Sequence, residues 1–303
     1  MEAPSAEHIP VLSSEVIGFL RDVPGDVVAD CTVGLGGHSR LLLEANPRLR
    51  LVGLDLDEAN LEAAGRHLAS FADRIQLVRA NFEELGGVLE RIGMKPVGGI
   101  LADLGVSSNQ IADPARGLSF ETDGPLDMRL DRSHGPTAAD LINTLSVGEL
   151  SDLLYLQSQE RHSRRIARRI CQERLRGRVD STAVLARLVA SAMGQNPQSH
   201  RGRTHPATRT FLALRMAVND ELPALRRLLA EAPQCLSPGG RVAVITFHSG
   251  EDRIVKEDFR ARVRAGQYRL VTRKPVTAEE EEVRANPRSR SAKLRVAEMR
   301  IET

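Results

Sequence analysis

The sequence has little cysteine, almost no lysine and no long apolar run. No stretch approaches the roughly 18 consecutive apolar residues of a membrane span, so the 303-residue chain reads as a non-membrane protein. Cys31, Cys171 and Cys235 are odd in number, far apart and without C-x-x-C spacing. That pattern speaks against a disulfide framework or a zinc site; it predicts reduced thiols and no metal. Met1 to His8 carries acid and lacks the basic start and apolar core of a secretory leader, so the expected location is cytoplasmic. Lysine occurs only at positions 95, 256, 274 and 293, which leaves arginine as nearly all the positive charge in a chain of formal net charge +2. The arginine fork suits phosphate, although a GC-rich genome produces the same bias. What remains is an ordinary soluble-enzyme composition, 41% hydrophobic and 27% charged, long enough for one large domain or two smaller ones.

Val27 to Asp30 reads as a buried strand, followed by Gly34, Gly36 and Gly37 and an amphipathic stretch from His38 to Glu44. The unit repeats: strand at Leu49–Leu54, helix at Glu58–Ala69, strand at Ile75–Val78, helix at Phe82–Ile92, strand at Gly99–Asp103. Alternation at this spacing predicts a parallel α/β sheet. It breaks at Leu104. From Ser107 to about His205 no strand is legible, only loops and helical segments: one starting at Ser146 with Glu149 in capping-box position, then Glu160–Leu175 and Thr182–Met193. The expectation is a discontinuous sheet domain, 1–106 and 206–303, with an all-helical domain inserted at 107–205. After Pro206, Phe211 to Leu229 traces one face of a single long helix that Ser237-Pro-Gly-Gly240 ends, and Arg241–Phe247 is a strand. Glu251–Val263 reads as helix, and the closing strands Tyr268–Thr272 and Leu294–Ile301, without a crossover helix between them, are expected to pair antiparallel. Five parallel strands with a terminal antiparallel hairpin is the class I, Rossmann-like sheet of S-adenosylmethionine methyltransferases; a plain dinucleotide fold adds βα units instead.

The run Asp30-Cys-Thr-Val-Gly-Leu-Gly-Gly-His38 puts glycines where the chain must turn sharply out of the first strand and let a ligand approach the backbone. Asp55, at the end of the second strand, can accept both ribose hydroxyls of an adenosine moiety, whether the cofactor is a methyl donor or NAD. Alone, such glycines equally describe a plain turn. Ser39 in the third glycine position weighs against NAD, Phe82 beyond the third strand can stack on adenine, and Asp103 ends the fourth strand facing the cleft. Separately, Phe82 reads as core and Asp103 as a helix cap; together they describe a ligand crevice at successive strand ends.

Arg161, Arg164, Arg165, Arg168 and Arg169 form a basic run in which Ile166 and Ile170 are spaced to face a core. Few acids are at hand to neutralise it, and Arg201, Arg203, His205 and Arg209 form a second cluster; phosphate contact is the better reading over a merely solvated face. A third cluster, Arg288, Arg290, Lys293 and Arg295, suggests a nucleic-acid face. His248, Ser249 and Asp252 superficially suggest a hydrolase triad, but Ser249 before Glu251 and Asp252 reads as a helix N-cap. Asp123 to Arg129 reads as a turn whose two charges can pair internally. His8 is left unassigned.

Seven ordered segments then make a specific resemblance: His8-Ile-Pro-Val-Leu12, Gly34-Leu-Gly-Gly-His-Ser39, Asp103-Leu-Gly-Val-Ser-Ser108, Asp123-Gly-Pro-Leu-Asp-Met-Arg129, His205-Pro-Ala-Thr-Arg-Thr-Phe211, Val218-Asn-Asp-Glu-Leu222 and Asn286-Pro-Arg-Ser-Arg-Ser291. On these the chain resembles the RsmH (MraW) family, bacterial enzymes that methylate the exocyclic N4 of a cytidine in the decoding region of 16S ribosomal RNA. The resemblance implies that Gly36, Gly37, His38, Asp55, Phe82, Asp103 and Gln110 contact S-adenosylmethionine, that the helical insertion helps recognise the rRNA of the small ribosomal subunit, and that the target is nucleotide 1402 in the usual numbering. Gly250, Leu118 and the Gln159-Glu-Arg-His162 stretch depart from the family's usual residues, which bears on loop packing or substrate affinity.

Transfer to an exocyclic amine needs the N4 lone pair in line with the sulfonium methyl, so positioning supplies much of the acceleration and no covalent intermediate is required. Cytosine-C5 methylation needs a cysteine nucleophile near the fourth strand, where Leu104-Gly-Val106 stands; Cys31 reads as packing. The expected acceptor for the target amino group is Asp103 or the Leu104 carbonyl. Two other classes compete with this reading. A DNA amino-methyltransferase commonly carries an Asn/Asp/Ser-Pro-Pro-aromatic motif where Asp103-Leu-Gly-Val106 stands, so DNA is not the expected partner, and a catalytically silent RNA-binding assembly protein would not keep the cofactor cleft.

Overall fold

A computed structural model describes residues 10–195 and 205–301. The chain divides into two compact units, Met1–Gly105 with Leu222–Thr303, and Val106–Glu221. Among the described residues the first unit holds one sheet of seven strands: β1 (Val27–Asp30), β2 (Arg50–Asp55), β3 (Ile75–Arg79), β4 (Val97–Asp103), β5 (Leu236–Thr246), β6 (Tyr268–Leu270) and β7 (Lys293–Met299). Their order is β3-β2-β1-β4-β5-β7-β6. The first five run parallel, and β7 is antiparallel to both β5 and β6. This is the class I methyltransferase sheet that the alternation and the closing hairpin predict. The strand order reverses between β1 and β4, and at such a switch point the carboxyl ends of neighbouring strands open a crevice for a ligand.

The sheet is apolar on both faces because helices cover both. Leu85, Val88 and Leu89 with Leu225, Leu228 and Val255 bury one face; Val16, Leu20, Leu42, Leu43 and Ala64 bury the other. β4 is buried from Val97 to Ala102, and only its last residue, Asp103, is partly exposed. The strand Arg241–Phe247 begins earlier than its hydrophobic run suggests: Leu236 already pairs with Val97, and Ser237–Gly240 forms an irregularity before the register resumes at Arg241. Gly239 takes φ 77° there.

The single long helix expected across Phe211 to Leu229 is two helices. Thr208–Val218 delivers Phe211, Ala213 and Leu214 to the core of the second unit, whereas Glu221–Cys235 lays Leu225, Leu228 and Leu229 against the sheet. Asp220 adopts φ 51° between them, a left-handed conformation that Asp tolerates better than most residues. The helical unit therefore closes at Glu221 and not at His205.

That unit packs helices Ala138–Thr144, Val147–Ser158, Ser163–Glu173 and Thr182–Ala192 with Thr208–Val218 around Leu150, Leu154, Ile166, Ile170, Leu185 and Val189. The capping box at Ser146 forms as its spacing predicts: Glu149 N–H donates to Ser146 Oγ (3.3 Å) and Ser146 N–H to Glu149 Oε2 (2.8 Å). Asp127 and Arg129 do pair, through Nε–Oδ1 at 2.7 Å and Nη2–Oδ2 at 3.0 Å. Asp123 Oδ1 accepts from Ser181 Oγ (2.6 Å) and Ala183 N–H (3.1 Å), tying its turn to the start of Thr182–Ala192. Asn219 fastens the same loop: its Oδ1 accepts from Leu130 N–H and its Nδ2 donates to Met128 O, both at 2.8 Å. Among the described residues no helix is long and apolar enough to cross a membrane.

Candidate active site

At the end of β1 the backbone turns through Gly34 and Gly36, both at positive φ, into the helix Gly37–Ala45. A side chain at Gly36 would be strained at φ 86° and would bring its Cβ within 2.9 Å of Leu68 Cδ1. The turn is held from two sides. Asp55, ending β2, accepts from Gly34 N–H at Oδ2 (3.0 Å), from Asp57 N–H at Oδ1 (2.8 Å) and from Asn60 Nδ2 (3.1 Å). Asp30, ending β1, accepts from Thr32 N–H (3.1 Å) and Ser39 Oγ (2.7 Å). The Thr32 hydroxyl accepts in turn from Asp103 N–H at 2.7 Å, coupling the glycine turn to the end of β4.

Three aspartates thus sit at the carboxyl ends of the adjacent strands β2, β1 and β4. Burial pushes each carboxyl up to about 6. For Asp55 the bonds from Asp57, Asn60 and Gly34 oppose that rise. For Asp103 the neighbouring His38 opposes it, while Asp30 and Glu251 add to it. Asp103 Oδ1 is buried and has no hydrogen-bond partner among the described residues. His38 Nδ1 lies 3.7 Å from Asp103 Oδ2, and its Nε2 is 2.8 Å from Val11 O. A carbonyl only accepts, so Nε2 carries the proton, and the imidazole attracts Asp103 only when a further proton lies between them.

The structure therefore brings together Gly36, Gly37, His38, Asp55 and Asp103. Phe82 begins the turn Phe82–Glu84 beyond β3 and packs half-buried against the core cluster on that face of the sheet. Gln110 belongs to the helical unit, where its Oε1 accepts from Ser107 N–H (2.9 Å) in a capping box. Nothing in the sequence singles out Asp30, Thr32 and Asn60 as site residues, because a brace between β1 and a helix nine residues on leaves no local pattern. In the sequence Ser39 stands out only as a missing glycine; it is buried, and its hydroxyl donates to Asp30.

The N-cap of Ser249–Arg264 is His248, not Ser249: His248 Nδ1 accepts from Gly250 N–H (3.2 Å) and Glu251 N–H (3.3 Å). Nε2 is 3.2 Å from Glu251 Oε1 but off the hydrogen-bonding direction. Asp252 is committed to Arg295 (2.7 Å) and Lys293 (3.6 Å), so no triad geometry exists. The same pairs bear on the third basic cluster: two of its four cations, Lys293 and Arg295, share the single carboxylate of Asp252. Cys31 is buried, and burial raises its thiol well above the ordinary range, which leaves it no thiolate for nucleophilic attack. No group of three or more His, Cys, Asp or Glu among the described residues could hold a metal ion.

In the helical unit, Arg164, Arg165 and Arg168 line the exposed side of Ser163–Glu173 opposite buried Ile166 and Ile170, with exposed Arg161 just before the helix. None of these four makes an ion pair among the described residues. Glu160, the nearest acid, is buried and accepts from His162 N–H (2.9 Å); Arg169 differs, its Nη2 lying 3.6 Å from Glu173. Arg209 is exposed at the start of Thr208–Val218. Arg201, Arg203 and His8 lie outside the described residues.

A model of the MraW methylase family matches residues 5–300. The chain belongs to the MraW methylase family. Its curated relatives within reach of a full-length match include "Ribosomal RNA small subunit methyltransferase H" of Synechococcus sp. (strain CC9605), 50% identical over 97% of this chain and 98% of that one. The protein of the same name from Sorangium cellulosum (strain So ce56) is 48% identical, covering 96% of this chain and 90% of the relative. Membership in a methylase family agrees with the strand order and with the turn that Asp55 and Asp30 brace.

Proposed function

We propose that this member of the MraW methylase family uses S-adenosylmethionine to methylate small-subunit ribosomal RNA, and that its target is the exocyclic N4 of the cytidine at nucleotide 1402 of 16S rRNA. The observation that carries the reading is Asp103: a carboxylate at the end of β4, beside the glycine turn, with a buried oxygen that has no partner among the described residues. Buried polar atoms are nearly always satisfied, so an orphaned one at a strand end is a place for a ligand's donor. The names of the full-length relatives support small-subunit rRNA as the substrate.

The residues present fit the cofactor. Gly36 and Gly37 carry the sharp turn out of β1, packed against Leu68 and Pro10, Asp55 offers a carboxylate to ribose hydroxyls, and Phe82, His38 and Gln110 complete the proposed contacts. Bound S-adenosylmethionine supplies an electrophilic methyl. Asp103 is mostly ionised at pH 7, since burial lifts its carboxyl only to about 6. An ionised Asp103 accepts a hydrogen bond from the target amino group, orients the nitrogen lone pair and favours the positive charge that develops there. The exposed arginines Arg161, Arg164, Arg165, Arg168 and Arg209, with Arg201 and Arg203, are proposed to hold phosphates, and the helical unit to recognise the RNA.

Labelled methyl transfer to small subunits lacking the modification, with mapping of the modified base, tests the proposal; label on N4 of that cytidine is expected, and label elsewhere or none overturns it. Asp103→Asn separates roles. Lost turnover with cofactor binding kept makes Asp103 a catalytic acceptor, and lost binding makes it a cofactor ligand.

A further inference from the structure

A second cationic site lies in the sheet unit, made of residues other than the arginines of the helical unit. A small pocket is lined by Lys256 and Arg260 from one face of Ser249–Arg264, by Arg273 just after β6 and by Arg295 on β7, with Phe259 and Leu270 as its apolar lining. Arg295 is buried and paired with Asp252 at 2.7 Å. Lys256, Arg260 and Arg273 make no ion pair among the described residues, and no carboxylate lines the pocket. Like charges one helical turn apart repel, so Lys256 and Arg260 are held together at a cost that an anion between them would relieve. Three of the four lysines of the chain, Lys256, Lys274 and Lys293, fall in this part of the sequence.

Position distinguishes the pocket from a generic basic surface. β7 is antiparallel to β5, so its first residues lie beside the carboxyl end of β5: Arg295 pairs with Val244, and Asp103 pairs with Ile245. Arg295 is thus two strands from β4 and one register step from Asp103, roughly 10 Å between backbones along the sheet edge at ordinary strand spacing, with its side chain on the opposite face of the sheet. A nucleic-acid strand delivering a base to Asp103 carries its flanking phosphates over that edge. Resting on the function proposed above, we infer that Lys256, Arg260 and Arg273 form a binding site for a backbone phosphate of the RNA substrate, on the sheet unit itself. Two arginine forks offer bidentate contacts and the lysine a point charge, with a rigid sheet edge behind them.

The test uses the full chain carrying K256Q, R260Q and R273Q together. Affinity for a small-subunit RNA, measured over a range of salt, is expected to fall about tenfold or more, and the slope of log affinity against log salt to shrink by about 0.7, the contribution of one phosphate contact on a single strand. The KM for RNA rises, while S-adenosylmethionine affinity is unchanged and the thermal midpoint without RNA stays level or increases. Unchanged RNA affinity and salt slope overturn the site. So does a thermal midpoint that inorganic phosphate raises only in the wild type while RNA binding is equal in both, since the pocket then takes a small anion. The two proposals fail separately: wild-type chain that methylates small-subunit RNA with the KM of the triple variant refutes this pocket alone, and salt-sensitive RNA binding that depends on these residues without methylation of small-subunit RNA refutes the function alone.

Discussion

In the sheet unit three carboxylates are drawn inward at strand ends, with Asp30 and Asp55 held by backbone amides, whereas in the helical unit Arg164, Arg165 and Arg168 point to solvent with no ion pair among the described residues. The difference is physical before it is functional. A buried carboxylate keeps its place only if donors converge on it, so its geometry is fixed in advance and its strength depends on pH. An exposed guanidinium keeps its hydration and freedom until an anion arrives, so its strength depends on salt. The first arrangement suits a small ligand with defined hydroxyls; the second suits a polyanion.

The contrast breaks most severely at Asp55. Asp55→Ala leaves Gly34 N–H and Asp57 N–H without their acceptor and removes the proposed ribose ligand. Cofactor affinity is expected to fall about 100-fold, read by calorimetric titration, with RNA affinity little changed. If cofactor binding survives, the strand-end carboxylate is only a brace.

The strand-end aspartates and Asp140 of the helical unit should also answer acid with opposite signs. Asp30, Asp55 and Asp103 have folded-state carboxyls near 6, above the ordinary 3.8, so between about pH 4 and 6 the folded form holds more protons than the unfolded one. Their contribution to stability is full below that window and falls as pH rises through it, on the order of a few kcal/mol for each carboxyl. Asp140 in the helical unit is held down to about 2 by hydrogen bonds from the backbone and hydroxyl of Thr137 and from Arg178. Its contribution is full above about pH 4 and is lost as pH drops toward 2. Urea unfolding across pH checks this; Asp30→Asn should flatten the upper slope and leave the lower one alone.

Next in size is Asn219→Ala, which strips the loop at Met128–Leu130 of two hydrogen bonds and is expected to cost about 2 kcal/mol in unfolding free energy. Replacing Arg164, Arg165 and Arg168 by Gln should leave stability and cofactor binding unaltered while weakening RNA binding about tenfold and lowering its salt slope by about 2. The smallest effect is Ser146→Ala, about 1 kcal/mol from the lost cap.

Much of this was legible because it was local or periodic. Strand–helix alternation gave away the sheet, two closing strands without a crossover gave away their antiparallel pairing, and Ser146 with Glu149 gave away a helix start. The glycine turn, Asp55 and Asp103 stood out because ligand crevices form at strand ends. The misreadings came where tertiary context overrode a continuous pattern. Phe211 to Leu229 keeps one apolar face throughout, yet the two halves serve different cores; Pro223, which fits a helix's first turn but not its interior, is the local sign of the break at Asp220 that the apolar pattern overrides. Ser249 is the better cap by residue type, but His248 Nδ1 reaches the amides first.

The sequence by itself determined the sheet class, the ordered motifs and the placing of acids at strand ends, because each follows from spacing along one segment. Only the tertiary structure decided which charges are free. Arg295 and Arg164 are alike on paper, yet Arg295 is buried against Asp252 and Arg164 is exposed and unpaired among the described residues. It also decided that Asp30 leans on Ser39 while one oxygen of Asp103 is left without a partner among the described residues. Such pairings join residues from different segments, and burial, which sets their strength, belongs to the folded chain and to no stretch of it alone.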